Sequence, residues 1–114
     1  MVKSPRASAA VSRLRRAGFH DDDIARAVGA APGSASDWAA GSVPEPQVKA
    51  RLVELHGLVG KLEEGGMFPP ERIGGWFRTP KPGLGGRAPI DVVKSGDFAR
   101  VEAFVTGLLY GYPT

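Results

Sequence analysis

Three aspartates in succession, Asp21-Asp22-Asp23, are the densest run of chemistry-bearing side chains in this sequence. Clustered carboxylates could hold a hard cation. Their position favours a different role, since they stand where a helical pattern begins. Acidic groups in a first turn satisfy orphan N–H donors and complement the helix dipole. Asp21 is the expected N-cap. His20 and His56 lack a partner at metal-ligand spacing. The tract Gly83-Leu84-Gly85-Gly86-Arg87 has the glycines of a phosphate cradle but neither the Lys-Ser/Thr of a P-loop nor a preceding strand, so it reads as a turn. No cysteine is present, and no Ser/His/Asp set can be assembled. The expectation is a protein that binds rather than catalyses, with no metal and no cofactor.

The remaining chemical signal is charge. Residues 1–20 contain Lys3, Arg6, Arg13, Arg15 and Arg16 and no acidic residue, within a chain of net charge +3. Clustered cations suit phosphate contact, because neutralising phosphates releases counterions. A second basic group, Arg72, Arg78, Lys81 and Arg87, surrounds the Pro/Gly tract and could face an acidic partner. No apolar run reaches the roughly 18 residues of a membrane span, and Arg13, Arg15 and Arg16 interrupt any signal-peptide pattern. A cytoplasmic protein with no membrane partner is expected.

Helices must position these groups. Ala10, Val11, Leu14 and Ala17 are spaced as one helical face, with Gly18 as a stop. Ile24, Ala25 and Val28 form the face of a second helix ending at Gly29. A third opens at Pro32 or Gly33, carries Ala35, Trp38 and Ala39 on one side, and ends at Gly41. Trp38 is thereby directed into the core. Ser42-Val43-Pro44-Glu45-Pro46 is a linker, because closely spaced prolines interrupt a helix. From Gln47 to about Glu64, Val48, Leu52, Leu55, Val59 and Leu62 alternate spacings of four and three, which is one continuous stripe. Val53 and Leu58 lie off it and suggest a second buried face. Pro70 begins a short helix ending near Phe77, and Thr79 to Gly83 is an extended connection with Leu84 plugging the core. Ala88 or Pro89 starts another helix with Ile90 and Val93 buried. Gly96 ends it, and Asp97 caps a last helix with Phe98, Val101, Val105 and Leu108 or Leu109 inward. The fold class is all-α.

Two stretches carry a family resemblance. IARAVGAAPGSASDWAAG resembles an Xre-type helix-turn-helix, in which the second helix is presented to a major groove. WFRTPKPGLGGRAPIDVVKSG, followed by Asp97 and the Phe98–Tyr110 pattern, resembles the C-terminal toxin-binding domain of the Xre/MbcA/ParS family of bacterial antitoxins. The resemblance implies residues 1–46 as a helix-turn-helix bundle, 47–66 as a connecting helix and 67–114 as a toxin-binding domain. It implies an antitoxin that silences a cognate toxin of the NAD-consuming RES type by occluding its active site, and that also represses its own operon. Trp76, Lys81, Arg87, Leu108, Tyr110, Tyr112 and Thr114 are the expected toxin contacts; exposed tyrosines bury large area at low entropic cost. Arg13, Arg16, Ser34 and Ser36 are the expected contacts to operator DNA. The groove-facing positions Gly33, Ser34, Ser36 and Asp37 include none of the strong base-reading residue types, so phosphate contacts would dominate. A homo-oligomer, or a hetero-oligomer with the toxin, is expected. The alternative is a small helix-turn-helix DNA-binding transcriptional regulator with no toxin, its C-terminal half serving dimerisation.

Overall fold

The computed structural model describes residues 5–66 and 69–111 and is all-α. Its helices are α1 (Ala7–Arg16), α2 (Asp21–Val28), α3 (Ser34–Ala39), α4 (Pro46–Gly65), α5 (Ile73–Arg78), α6 (Pro89–Lys94) and α7 (Phe98–Tyr110). Short 3-10 turns at Pro70–Arg72 and Pro82–Leu84 precede α5 and the Gly85–Ala88 connection.

The apolar stripes become the core. Ala10, Val11 and Leu14 of α1, Ile24 and Val28 of α2, and Ala35 and Trp38 of α3 are buried in one cluster that continues through α4 to Val101 and Val105 of α7. Leu52, Leu55, Val59 and Leu62 of α4 are buried, as is the off-stripe Leu58, whereas Val53 is half-buried. Burial on more than one face follows from what covers α4: α1 and α2 pack on it from the N-terminal side of the chain and α7 from the C-terminal side. Each buried leucine contributes about 1.5–3 kcal/mol relative to exposure, so α4 is the spine of the molecule.

Four local expectations are corrected. The N-cap of α2 is His20, not Asp21. Asp23, at the third helical position, accepts the His20 backbone N–H at 2.9 Å, so the carboxylate that closes the helix start reaches back from inside it. The connecting helix starts at Pro46, one residue earlier than expected. Proline at the first helical position loses nothing, because that N–H has no intrahelical acceptor. The helix expected from Pro70 is a 3-10 turn up to Arg72, α-helical only from Ile73. The Thr79–Gly83 connection is not extended throughout: Pro82 opens a 3-10 turn, and Lys81 pairs with Arg87 in an isolated antiparallel bridge. Asp97 does occupy the N-cap position of α7, without a side-chain capping bond.

The N- and C-terminal parts meet at a seam between the α1–α2 turn and α5. The Gly74 N–H donates to the Ala17 carbonyl at 2.7 Å, and the Phe19 and Phe77 rings are tilted together with centroids 5.1 Å apart. Gly18 has φ +90°, and a Cβ there would run into the Glu71 carbonyl; a Cβ on Gly74 would run into the Gly18 carbonyl and the Phe19 nitrogen. Only glycines allow the two backbones to approach this closely. Ion pairs also join other elements: Arg26 of α2 is paired with Asp91 of α6, and Lys61 of α4 lies 3.6 Å from Glu102 of α7.

Candidate functional site

The C-terminal half presents an aromatic and cationic platform built from α5, the Pro/Gly loop and α7. α5 buries Ile73 and Phe77 and leaves Trp76 half-buried at its edge. The Trp76 ring meets Phe77 edge-on at 5.2 Å and stacks on Phe104 of α7 at 6.2 Å with a 29° interplanar angle. Phe104 can lie there because Gly83 has no side chain: a Cβ on Gly83 would occupy the edge of the Phe104 ring. The platform therefore depends on a glycine in the loop below it.

Lys81 joins this arrangement through Trp76. Its Nζ lies 4.8 Å from the Trp76 ring centroid, a cation–π geometry. Partial burial, which penalises the charged form, lowers the Lys81 pKa from its ordinary value. The loop closes on Lys81: its N–H donates to the Arg87 carbonyl at 3.0 Å, and its own carbonyl accepts from Leu84 and Gly86, each at 3.0 Å. Leu84 is buried beneath. Residues directly opposite in an antiparallel pair direct their side chains to one face, so Lys81 and Arg87 form a fixed pair of cations. Arg87 is exposed and its Nη2 donates to the Asp91 carbonyl at 3.1 Å.

The expected toxin contacts divide in space. Trp76, Lys81 and Arg87 come together. Leu108, half-buried, stands one turn beyond Phe104 on α7. Tyr110 is 70% exposed and lines a shallow cleft with Lys61, Glu64, Gly65 and Leu109 at the ends of α4 and α7. Tyr112 and Thr114 lie outside the described residues. Arg78 does not join the outward-facing basic group: its Nη1 donates to Asp23 Oδ2 at 2.5 Å and to the Gly18 carbonyl at 3.2 Å. Phe104, Gly83 and the Asp23–Arg78 pair were not among the expected site residues. Phe104 lies beside the apolar stripe of α7, whose spacing does not single it out, and no local spacing rule links positions 23 and 78.

On the N-terminal side, Arg13 of α1 reaches across to Glu63 of α4 at 2.7 Å, and Arg15 grips Asp21 with Nε and Nη2, each at 2.8 Å. That grip raises the Arg15 pKa and lowers the Asp21 pKa, the hydrogen bond being the larger cause in each. Arg16 and Ser36 are exposed, and Ser34, the first residue of α3, is half-buried. Of the expected DNA contacts, Arg13 is therefore already engaged within the chain. Asp21 serves Arg15, Asp23 serves Arg78 and the start of α2, and Asp22 is exposed; among the described residues no group of three or more His, Cys, Asp or Glu could hold a metal ion. No helix among them is long and apolar enough to cross a membrane.

Residues 60–111 match the antitoxin Xre/MbcA/ParS C-terminal toxin-binding domain. The mycobacterial cidal antitoxin MbcA of Mycobacterium tuberculosis is 31% identical over 106 residues, covering 92% of each chain, and that of Mycobacterium bovis matches to the same extent. A chain in the crystal structure of the M. tuberculosis MbcT–MbcA toxin–antitoxin complex superposes with a TM-score of 0.77 at 30% identity, covering 95% of this chain and 96% of that one.

Proposed function

Because the chain belongs to the Xre/MbcA/ParS antitoxin family, we propose that it is the antitoxin of a toxin–antitoxin pair and neutralises a cognate toxin of the NAD-consuming RES type. Residues 67–114 carry the toxin-binding role in this reading, and inhibition is steric. The observation that supports it best is the Trp76–Phe104–Lys81 platform inside the family-matched segment. A rigid aromatic anchor flanked by fixed cations is the composition of a protein-interface hot spot. An interface of ordinary size, about 1,200–2,000 Å² in total, is sufficient to cover an active-site cleft. Lys81 and Arg87 would meet acidic groups on the toxin, and Leu108, Tyr110 and the residues after Gly111 would extend the contact.

The test is co-expression with the neighbouring open reading frame, affinity purification and an NAD⁺ assay. A stable complex, with NAD⁺ lost only when this chain is absent, supports the reading. A neighbour that neither binds nor consumes NAD⁺ sinks it.

Operator binding is the second part of the proposal, favoured by the α2–turn–α3 arrangement with Ser36 and Arg16 exposed. It predicts a gel shift on the upstream DNA that weakens steeply with salt and is lost in Arg16→Ala with Ser36→Ala. With Arg13 and Arg15 held by Glu63 and Asp21, few phosphate contacts remain in α1.

A further inference from the structure

We propose that the N-terminal half has a function of its own in toxin binding: it is the brace that sets the height and roll of α5, and hence of Trp76. This rests on the antitoxin reading above. The segment matched to the toxin-binding domain begins at residue 60, and α6 and Phe104 pack on α5 from within it, yet the groups that tie the two ends of α5 come from residues 17–23. α5 has six residues, far below the length at which a helix persists unaided. Its start is tied by the Gly74 N–H to the Ala17 carbonyl at 2.7 Å. Its inner face is filled by Phe77 against Phe19. Its end is held by Arg78, which spans Asp23 Oδ2 and the Gly18 carbonyl.

Asp23 is the keystone of this arrangement. It is 8% exposed and uses the same oxygen, Oδ2, to accept the His20 N–H at the start of α2 and the Arg78 guanidinium at the end of α5. One carboxylate thus closes a helix in each half, and a charge-assisted bond of this kind is stronger than a neutral one. Arg78 also places a cation at the C-terminus of α5, where the helix dipole favours it. Trp76 lies between the Gly74 and Arg78 tethers, so its presentation to a partner follows the folding of residues 17–28. A chain whose N-terminal half has opened would lose its toxin grip while every residue of the platform was still present.

Native-state hydrogen exchange on the full-length chain tests the brace without any toxin. Amides of Asp21–Val28 and Ile73–Arg78 should lose protection in one step with one denaturant dependence. Protection of α5 persisting where α2 has opened would overturn the proposal. The second arm uses full-length Asp23→Asn, with exposed Asp22→Asn as control. Asp23→Asn should speed exchange in α5 by about tenfold or more and toxin dissociation from the co-purified complex by a similar factor, while Asp22→Asn changes neither. Faster α5 exchange with unchanged toxin dissociation would also overturn it. Should the wild-type chain bind no toxin, the antitoxin reading fails alone, and the exchange experiment still decides the brace. If Asp23→Asn does not fold, Arg78→Lys, which keeps the charge but not the two-acceptor span, takes its place with the same expectations.

Discussion

Replacing Gly74 by alanine puts one methyl group into the crossing of two backbones. Its Cβ would meet the Gly18 carbonyl and the Phe19 nitrogen, main-chain atoms that cannot rotate aside as a side chain would. Forcing a methyl into a closed contact costs about 1–3 kcal/mol. Displacing α5 also stretches the 2.7 Å Gly74–Ala17 bond, worth about 0.5–1.5 kcal/mol. Alanine's better helix propensity returns roughly 0.5–1 kcal/mol. The net destabilisation is about 1–3.5 kcal/mol, which for a domain of this size lowers the Tm by about 4–14 °C. The adjacent Gly75 supplies the control. A Cβ there meets only Arg78 Nη2, at 4.0 Å, so Gly75→Ala should raise the Tm by about 2–4 °C through propensity alone. Thermal unfolding followed by circular dichroism measures both variants. If Gly74→Ala melts at or above Gly75→Ala, the close approach of the two halves does not govern stability, and the reasoning built on the seam is refuted.

Other outcomes follow from single contacts. Gly83→Ala should push Phe104 off the Trp76 ring; in a Trp38→Phe background, the Trp76 emission should shift red and toxin affinity should drop about tenfold, read by fluorescence and calorimetry. Phe77→Ala removes a fully buried aromatic from the core and should cost about 3–5 kcal/mol in urea unfolding. Lys81→Ala with Arg87→Ala should slow association with the toxin more than it speeds dissociation, and the deficit should shrink at high salt in stopped-flow measurements. His56 has a pKa lowered chiefly by burial and then by the Arg13 charge, with Glu63 opposing. The unfolded chain therefore takes up a proton near 6.5 that the folded chain resists. Stability should fall as pH drops through that value, and His56→Gln should flatten the slope in pH-dependent denaturation.

Much of the fold is determined by relations between residues a few positions apart. The three–four spacing of Leu52, Leu55, Val59 and Leu62, the stops at Gly18, Gly29, Gly66 and Gly111 with positive φ, and Pro89 at a helix start obey rules whose range is one or two helical turns. Those rules act within the chain wherever it folds, which is why the helices and their inward faces can be read directly. The all-α class followed from such patterns, and the family resemblance, roughly Phe68 to Gly111, from the motif between Trp76 and Gly96. Charge is different. Arg13, Arg15, Arg16 and Arg78 look alike along the sequence, and only tertiary structure assigns Arg13 to Glu63 and Arg78 to Asp23, fifty or more positions away. It likewise made Asp23 rather than Asp21 the group that closes α2, and set Gly83 under Phe104 and Gly74 against Gly18. A long side chain can reach any partner that folding brings within a few ångströms, and a glycine is required wherever another backbone arrives. Neither condition exists until the chain has closed on itself.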